Sequence, residues 1–196
     1  MSKRPLLLPC ILILSALALA ACGSSGNSDE SKVEEVIETS ATSTDPADCT
    51  KLQTQKFVEQ TTQENGKAAL KSCEEEAEKE EGSESAKVSN VEVEGSSATA
   101  DVALTGGGFD GQTVEVALVK EGDQWKLNEV TKFVKLDQAK LVETFEREFS
   151  KPSSELSPKL AACFTEAFEE ASQAEVEELL LSGSTEALEE VAVHCS

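Results

Sequence analysis

The chain has 196 residues, with 38 acidic against 17 basic, giving a net charge of −21. So negative a surface repels nucleic-acid phosphates and anionic headgroups, which excludes nucleic acid as a partner and leaves cationic peptides, basic protein patches and divalent cations electrostatically compatible. Aromatic residues are scarce (7 Phe, 1 Trp, no Tyr), which favours two modest cores over one large core and makes covalent staples useful.

Lys3 and Arg4 open the chain with positive charge, and Pro5 to Ala21 is apolar apart from Ser15. That stretch falls short of the ~20 residues a membrane-spanning helix needs. Pro9 weakens it further, because proline lacks an N–H and clashes with the preceding turn. A charged start, an apolar run and small residues at its end read as an export signal. The sequence Leu19-Ala20-Ala21-Cys22 resembles the lipobox of bacterial lipoproteins. The resemblance implies that residues 1–21 are removed and that Cys22 carries a diacylglyceryl group, leaving an extracytoplasmic protein anchored to the membrane by lipid. The competing reading is a single-span anchor in which Cys22 has no role. Several acyl chains hold stably where one does not, at ~0.8 kcal/mol per buried methylene.

Residues 22–47 are rich in Ser, Thr, Asp, Glu, Gly and Asn. This composition predicts a disordered tether between lipid and folded protein. Within it, "SKVEEVIETS" from Ser31 to Ser40 has weak helical character and little to pack against.

The first folded unit is predicted over 48–134. Leu52, Phe57 and Val58 suggest a short helix. A second runs from about Lys67 to Glu80, with Ala69, Leu70, Cys73 and Ala77 at helical spacing. The acidic run from Glu74 to Glu81 lacks the interleaved ligands and turn glycine of a calcium loop, so it reads as a solvated helix end. From Lys87 the period becomes two. Val91 and Val93, then Ala98 to Leu104, then Val114 to Leu118, then Trp125 and Leu127 alternate with polar or smaller residues. Gly95-Ser96 and "KEGDQ" (Lys120 to Gln124) supply tight turns. The pattern predicts a four-stranded antiparallel meander with one buried face. "GGGFDG", Gly106 to Gly111, formally matches a dinucleotide-binding motif. It joins two strands instead of leading into a helix N-terminus, so it reads as a mobile hairpin tip that exposes Phe109.

Helices followed by a meander that ends in "DQWKLNEV", Asp123 to Val130, resemble the cystatin-like and nuclear-transport-factor-like α+β folds, over about Cys49 to Val134. The resemblance implies a curved sheet wrapping a helix, with a small cavity between them. Enzymes of this fold place Asp, His or Tyr inside the cone. Here there is no Tyr and the only histidine is His194. Asp101 falls on the polar face of its strand and Asp123 in a turn, so no catalytic residue is assigned.

Residues 135–196 are predicted to form a small helical unit. Asp137 can cap a helix carrying Leu141, Val142, Phe145 and Phe149 on one stripe. Ser157 and Pro158 are an N-cap and first helical residue. The helix they start presents Leu160, Cys163, Phe164, Ala167, Phe168 and Ala171 on its apolar face. Val176, Leu179 and Leu180 follow in a short helix ended by Gly183. A last helix carries Leu188, Val191, Ala192 and Cys195.

Cys10 lies in the removed segment. Beyond Cys22, the cysteines are Cys49, Cys73, Cys163 and Cys195, an even set that reads as two disulfides in an exported chain. Pairing within each unit, Cys49–Cys73 and Cys163–Cys195, is favoured, with roughly 3–4 kcal/mol from each loop closure. Zinc is the competing use of these cysteines. No C-x-x-C occurs and His194 stands alone, so neither metal nor cofactor is assigned. The sequence therefore reads as a lipid-anchored, non-catalytic binding or protein-interaction module of α+β class. A structural envelope protein, or a cone-fold enzyme, is the alternative.

Overall fold

The computed structural model describes residues 26–79, 82–150, 157–182, 193 and 195. The export signal, Cys22, His194, Glu80, Glu81 and nearly all of the last expected helix lie outside the described residues.

The fold is α+β. Strands β1 (Ser85–Glu94), β2 (Ser97–Thr105), β3 (Thr113–Glu121) and β4 (Gln124–Lys135) form one antiparallel sheet in the order β1-β2-β3-β4. Period-two alternation puts Ala98, Ala100, Val102, Val114, Val116, Leu118, Trp125, Leu127 and Phe133 on one buried face. Two-residue turns at Gly95-Ser96 and Gly122-Asp123 join the outer pairs, and both glycines have positive φ. In β1, Asn90 also takes a positive φ where the register slips between Ser89 and Glu92. Its side-chain amide donates to Asp101 Oδ2 at 2.7 Å, fixing the bulge.

Over 26–42 the expected tether is corrected by the structure. Gly26–Thr42 is a helix, α1, lying on the inner face of the sheet, chiefly against β1. Val33 and Ile37 are 0% and 2% exposed and sit in the same core as Leu118 and Trp125. Polar composition hid a narrow stripe. Two apolar residues four apart, with Val36 beside them, suffice when a sheet supplies the rest of the contact. Burying side chains of this size stabilises by about 1.5–3 kcal/mol each.

After α1 come α2 (Asp48–Lys51), α3 (Gln55–Thr62) and α4 (Gly66–Glu78). Thr54 caps α3 by accepting from the Phe57 N–H. Cys49 in α2 is bonded to Cys73 in α4, with S–S 2.04 Å. The stretch between α2 and α3 runs along the outer edge of β4. There Leu127 donates its N–H to Leu52 O and accepts from Thr54 N, both at 2.8 Å.

Phe109 is not the exposed tip expected of the β2–β3 loop. It packs inward, 5.9 Å from Phe133 between ring centroids. Asp110 Oδ1 accepts from Gly106 N at 2.9 Å and folds the loop back on itself. Gly106 and Gly107, both at positive φ, lie against the backbone of 82–84. A Cβ on Gly106 would fall 2.9 Å from Glu84 N. These glycines serve close backbone approach.

The C-terminal helices are α5 (Gln138–Phe149), α6 (Pro158–Glu170) and α7 (Gln173–Leu181). Asp137 accepts from Lys140 N, and Ser157 from Leu160 N with Pro158 at the first position. Leu141, Val142, Phe168 and Val176 form a second core, and Leu136 and Leu180 contact both cores. Cys163 is bonded to the buried Cys195, with S–S 2.07 Å.

Candidate functional site

A cleft of about 360 Å³ opens where α2, α3 and the start of α4 meet the β3–β4 hairpin. Val58 and Leu70 give it apolar surface, and Thr50, Gln53, Thr54 and Gln55 line it with hydroxyls and amides. Lys67 stands on the α4 side. It has no ion-pair partner among the described residues. On the hairpin side, Lys126 donates to Thr50 O at 3.0 Å and pairs with Glu121 at 3.1 Å.

Local chemistry builds this corner. Glu59 accepts from Gln55 Nε2 at 2.7 Å and from Gly66 N at 2.8 Å, and these bonds, the amide first, hold its carboxyl below the usual range. Gly66 has a positive φ, which lets the chain turn from α3 into α4. The Cys49–Cys73 bridge ties α2 to α4 behind the cleft. Cys49 and Gln53 also wall a smaller cavity of about 110 Å³, which contains Asp45, Asp48 and Glu76. Its acids have partners. Asp48 accepts from Ser43 Oγ at 2.6 Å. The Ala47 N–H lowers Asp45, with Lys51 adding to the effect.

The cleft can hold a small molecule by shape and hydrogen bonds. Among the described residues lining it, the only carboxylate is Glu121, already paired with Lys126, and the cysteine is oxidised. No group of three or more His, Cys, Asp or Glu is placed to hold a metal among the described residues. Within the acidic run, Glu75 pairs with Lys71 at 2.7 Å. Asp101 accepts from Asn90 on the outer face of the sheet, and Asp123 sits exposed in its turn.

Residues 31–140 match the family described as low molecular weight antigen MTB12, C-terminal domain. The match spans more than half of the chain. The chain belongs to this family. No curated protein matches the chain, and neither does any solved structure. The MTB12 domain begins inside α1, so the family unit includes the helix that seals the sheet. It ends in the first turn of α5, leaving most of the second core beyond the matched residues. The cleft lies wholly within the MTB12 domain.

Sequence reasoning singled out none of the residues that line the cleft apart from Cys49, Val58 and Leu70. Gln53, Lys67 and Lys126 come from separate elements, and no local pattern links them. It also missed two buried glutamines. Gln60 Nε2 donates to Val130 O at 2.8 Å and to Leu181 O at 2.9 Å, and Gln60 Oε1 accepts from Val130 N at 2.7 Å. Gln112 makes the same reciprocal pair with Asp137, its Oε1 accepting from Asp137 N at 2.7 Å and its Nε2 donating to Asp137 O at 3.1 Å. Gln60 is followed by Thr61-Thr62-Gln63 and Gln112 by Thr113, and neither context carries a signature that separates a buried glutamine from a surface one.

Proposed function

We propose that this protein is an extracytoplasmic, lipid-anchored binding module without catalytic activity, held to the membrane through Cys22. The observation that carries the binding role is the cleft of about 360 Å³ between α2, α3, α4 and the β3–β4 hairpin, lined by amides, hydroxyls and apolar side chains. Such concave sites with a few oriented polar groups are the usual form of small-molecule sites. The apolar inner face of the sheet supports the non-catalytic reading. The cone of a cystatin-like enzyme holds its acid or base there, and here that space is filled by Val33 and Ile37 packed on Val116, Leu118 and Trp125. We also propose the cystatin-like arrangement itself, with α1 as the wrapped helix.

Several features support export. They are the lipobox-like Leu19 to Cys22, two disulfides, and membership in a family described as an antigen. No helix among the described residues is long and apolar enough to cross a membrane. Native mass spectrometry on the full protein, extracted gently from its own membranes, tests the whole reading. The expected mass starts at Cys22, is raised by acyl chains, and carries an additional noncovalent component. A chain that retains residue 1 or lacks acyl groups overturns the anchor. An acylated chain that never carries a bound mass, and gains none from cell-envelope extract, overturns the binding role.

A further inference from the structure

We propose that the hairpin-turn end of the sheet, formed by the β1–β2 turn, the β3–β4 turn and the start of α1, is a membrane-facing surface held against the lipid headgroups. The proposal rests on the anchor at Cys22 and adds an orientation to it.

The argument is one of reach. α1 begins at Gly26. The chain from Cys22 to Gly26 can extend at most about 14 Å, since each residue adds ~3.3–3.6 Å. A tether over 22–47 would have let the module roam, whereas α1 removes most of that length. The start of α1 is itself fastened to one end of the sheet. Asp29 accepts from Lys120 Nζ at 3.0 Å, and the Lys120 N–H donates to Ser96 O at 2.9 Å, so one lysine joins the helix start to both turns. Lys120 also lies over the Trp125 ring, 5.3 Å from its centroid, which further fixes the contact. The far end of the sheet, with the 106–111 loop, is one strand away. β2 has nine residues, so it spans roughly 30 Å.

The two ends therefore differ in their access to lipid. The turn end cannot leave the surface, and the loop end points away in the average orientation. The turns carry exposed Glu94, Glu121 and Asp123. These carboxylates do not enter the acyl region, so this end stays outside the bilayer and only the short link from Cys22 holds it near the headgroups. The cleft, which Glu121 and Lys126 help to line, opens beside the same turn. It therefore samples molecules at the membrane surface.

Site-directed quenching tests the orientation. The lipidated full chain is placed in zwitterionic phospholipid vesicles containing a lipid with a spin-labelled headgroup. A fluorophore is attached through Asp123→Cys in one sample and Gly108→Cys in another. Both positions are exposed, and a Cβ at Gly108 meets no atom within 4 Å. Quenching at 123 is expected to exceed that at 108 several-fold. A twenty-residue Gly/Ser spacer inserted after Ser25 should reduce the difference, because a flexible chain of n residues spans ~5–6 Å × √n. Equal quenching at 123 and 108 in acylated, vesicle-bound protein overturns the orientation and leaves the anchor standing. Protein that proves unacylated by mass and stays in the supernatant overturns both.

Discussion

The side chain of Gln60 behaves as a short piece of β-strand against Val130. Its amide accepts from Val130 N at 2.7 Å and donates to Val130 O at 2.8 Å, completing the outer edge of β4 where the backbone of 52–54 has already left it. An unpaired sheet edge invites pairing with another chain, and a buried backbone group without a partner is costly. Gln60 is only 7% exposed, so water is a poor substitute. Its third bond, to Leu181 O, joins this edge to α7 and so to the second core.

Gln60→Leu should therefore destabilise the protein by about 2–4 kcal/mol, since each buried polar group left unsatisfied costs ~1–3 kcal/mol. Urea unfolding measures it. A change under about 0.5 kcal/mol would mean that the edge is hydrated and the amide dispensable.

The assignment of α1 to the core predicts that Ile37→Ala costs about 2–5 kcal/mol, the range for truncating a large buried side chain. Ile37→Asp should prevent folding under the same conditions. A solvated tether would tolerate both, so thermal unfolding of the two variants separates helix from tether.

Removing the Cys49–Cys73 bridge as a double serine variant should cost roughly 3 kcal/mol, on a loop with sequence separation 24. It should also widen the cleft, because the bridge ties α2 to α4 behind it. Non-reducing peptide mapping of the native protein should recover Cys49 linked to Cys73 and Cys163 linked to Cys195. A cross-unit peptide would contradict the structure.

Acid sensitivity follows from Asp29. The hydrogen bond from Lys120 holds its carboxyl below the usual range, with Trp125 and Lys32 adding to the effect. A group whose folded pKa is depressed stabilises fully above its unfolded value and loses that contribution as pH falls through the folded one. The stability gap between wild type and Asp29→Asn should be constant near neutrality, then shrink below the ordinary carboxylate pKa. Relief of self-repulsion, large at a net charge of −21, acts on both proteins and cancels in the comparison. Urea midpoints measured from pH 7 down to strong acid give the curve. A gap that stays flat throughout would show that the Lys120 contact does not persist in solution.

If the cleft is the binding site, Leu70→Trp should fill it and abolish the bound mass in native spectra while leaving the far-ultraviolet circular dichroism unchanged. Lys67→Glu, which places a carboxylate at the mouth without blocking it, should weaken an anionic ligand and leave a neutral one unaffected.

The two central strands were legible residue by residue, because a strand with one buried face writes its geometry as alternation and its ends as glycine turns, whereas the Asn90 bulge and the burial of Phe133 were not. Ala98 to Leu104 and Val114 to Leu118 state their register locally. The caps at Thr54 and Ser157 differ in this respect. Ser157 is flanked by Pro158 and could be read, whereas Thr54 follows a single-residue bridge of Gln53 to Leu127 in β4 that exists only in three dimensions.

The amino-acid sequence by itself determined the strands, their turns, helices α5 to α7 and their apolar stripes, since these follow from local periodicity and backbone chemistry. Only the tertiary structure decided that α1 is core, that Phe109 turns inward and that two glutamines complete backbone edges. In each case the favourable contact is made with residues distant in the chain. Val33 and Ile37 carry too little apolar surface to hold a helix alone, and became buried because the sheet presents Leu118 and Trp125 to the same side. Phe109, in the β2–β3 loop, had its neighbour Phe133 on β4, two dozen residues further along the chain. A side chain's environment is the sum of what the fold brings to it, and local pattern reports that sum only where the neighbours are also local.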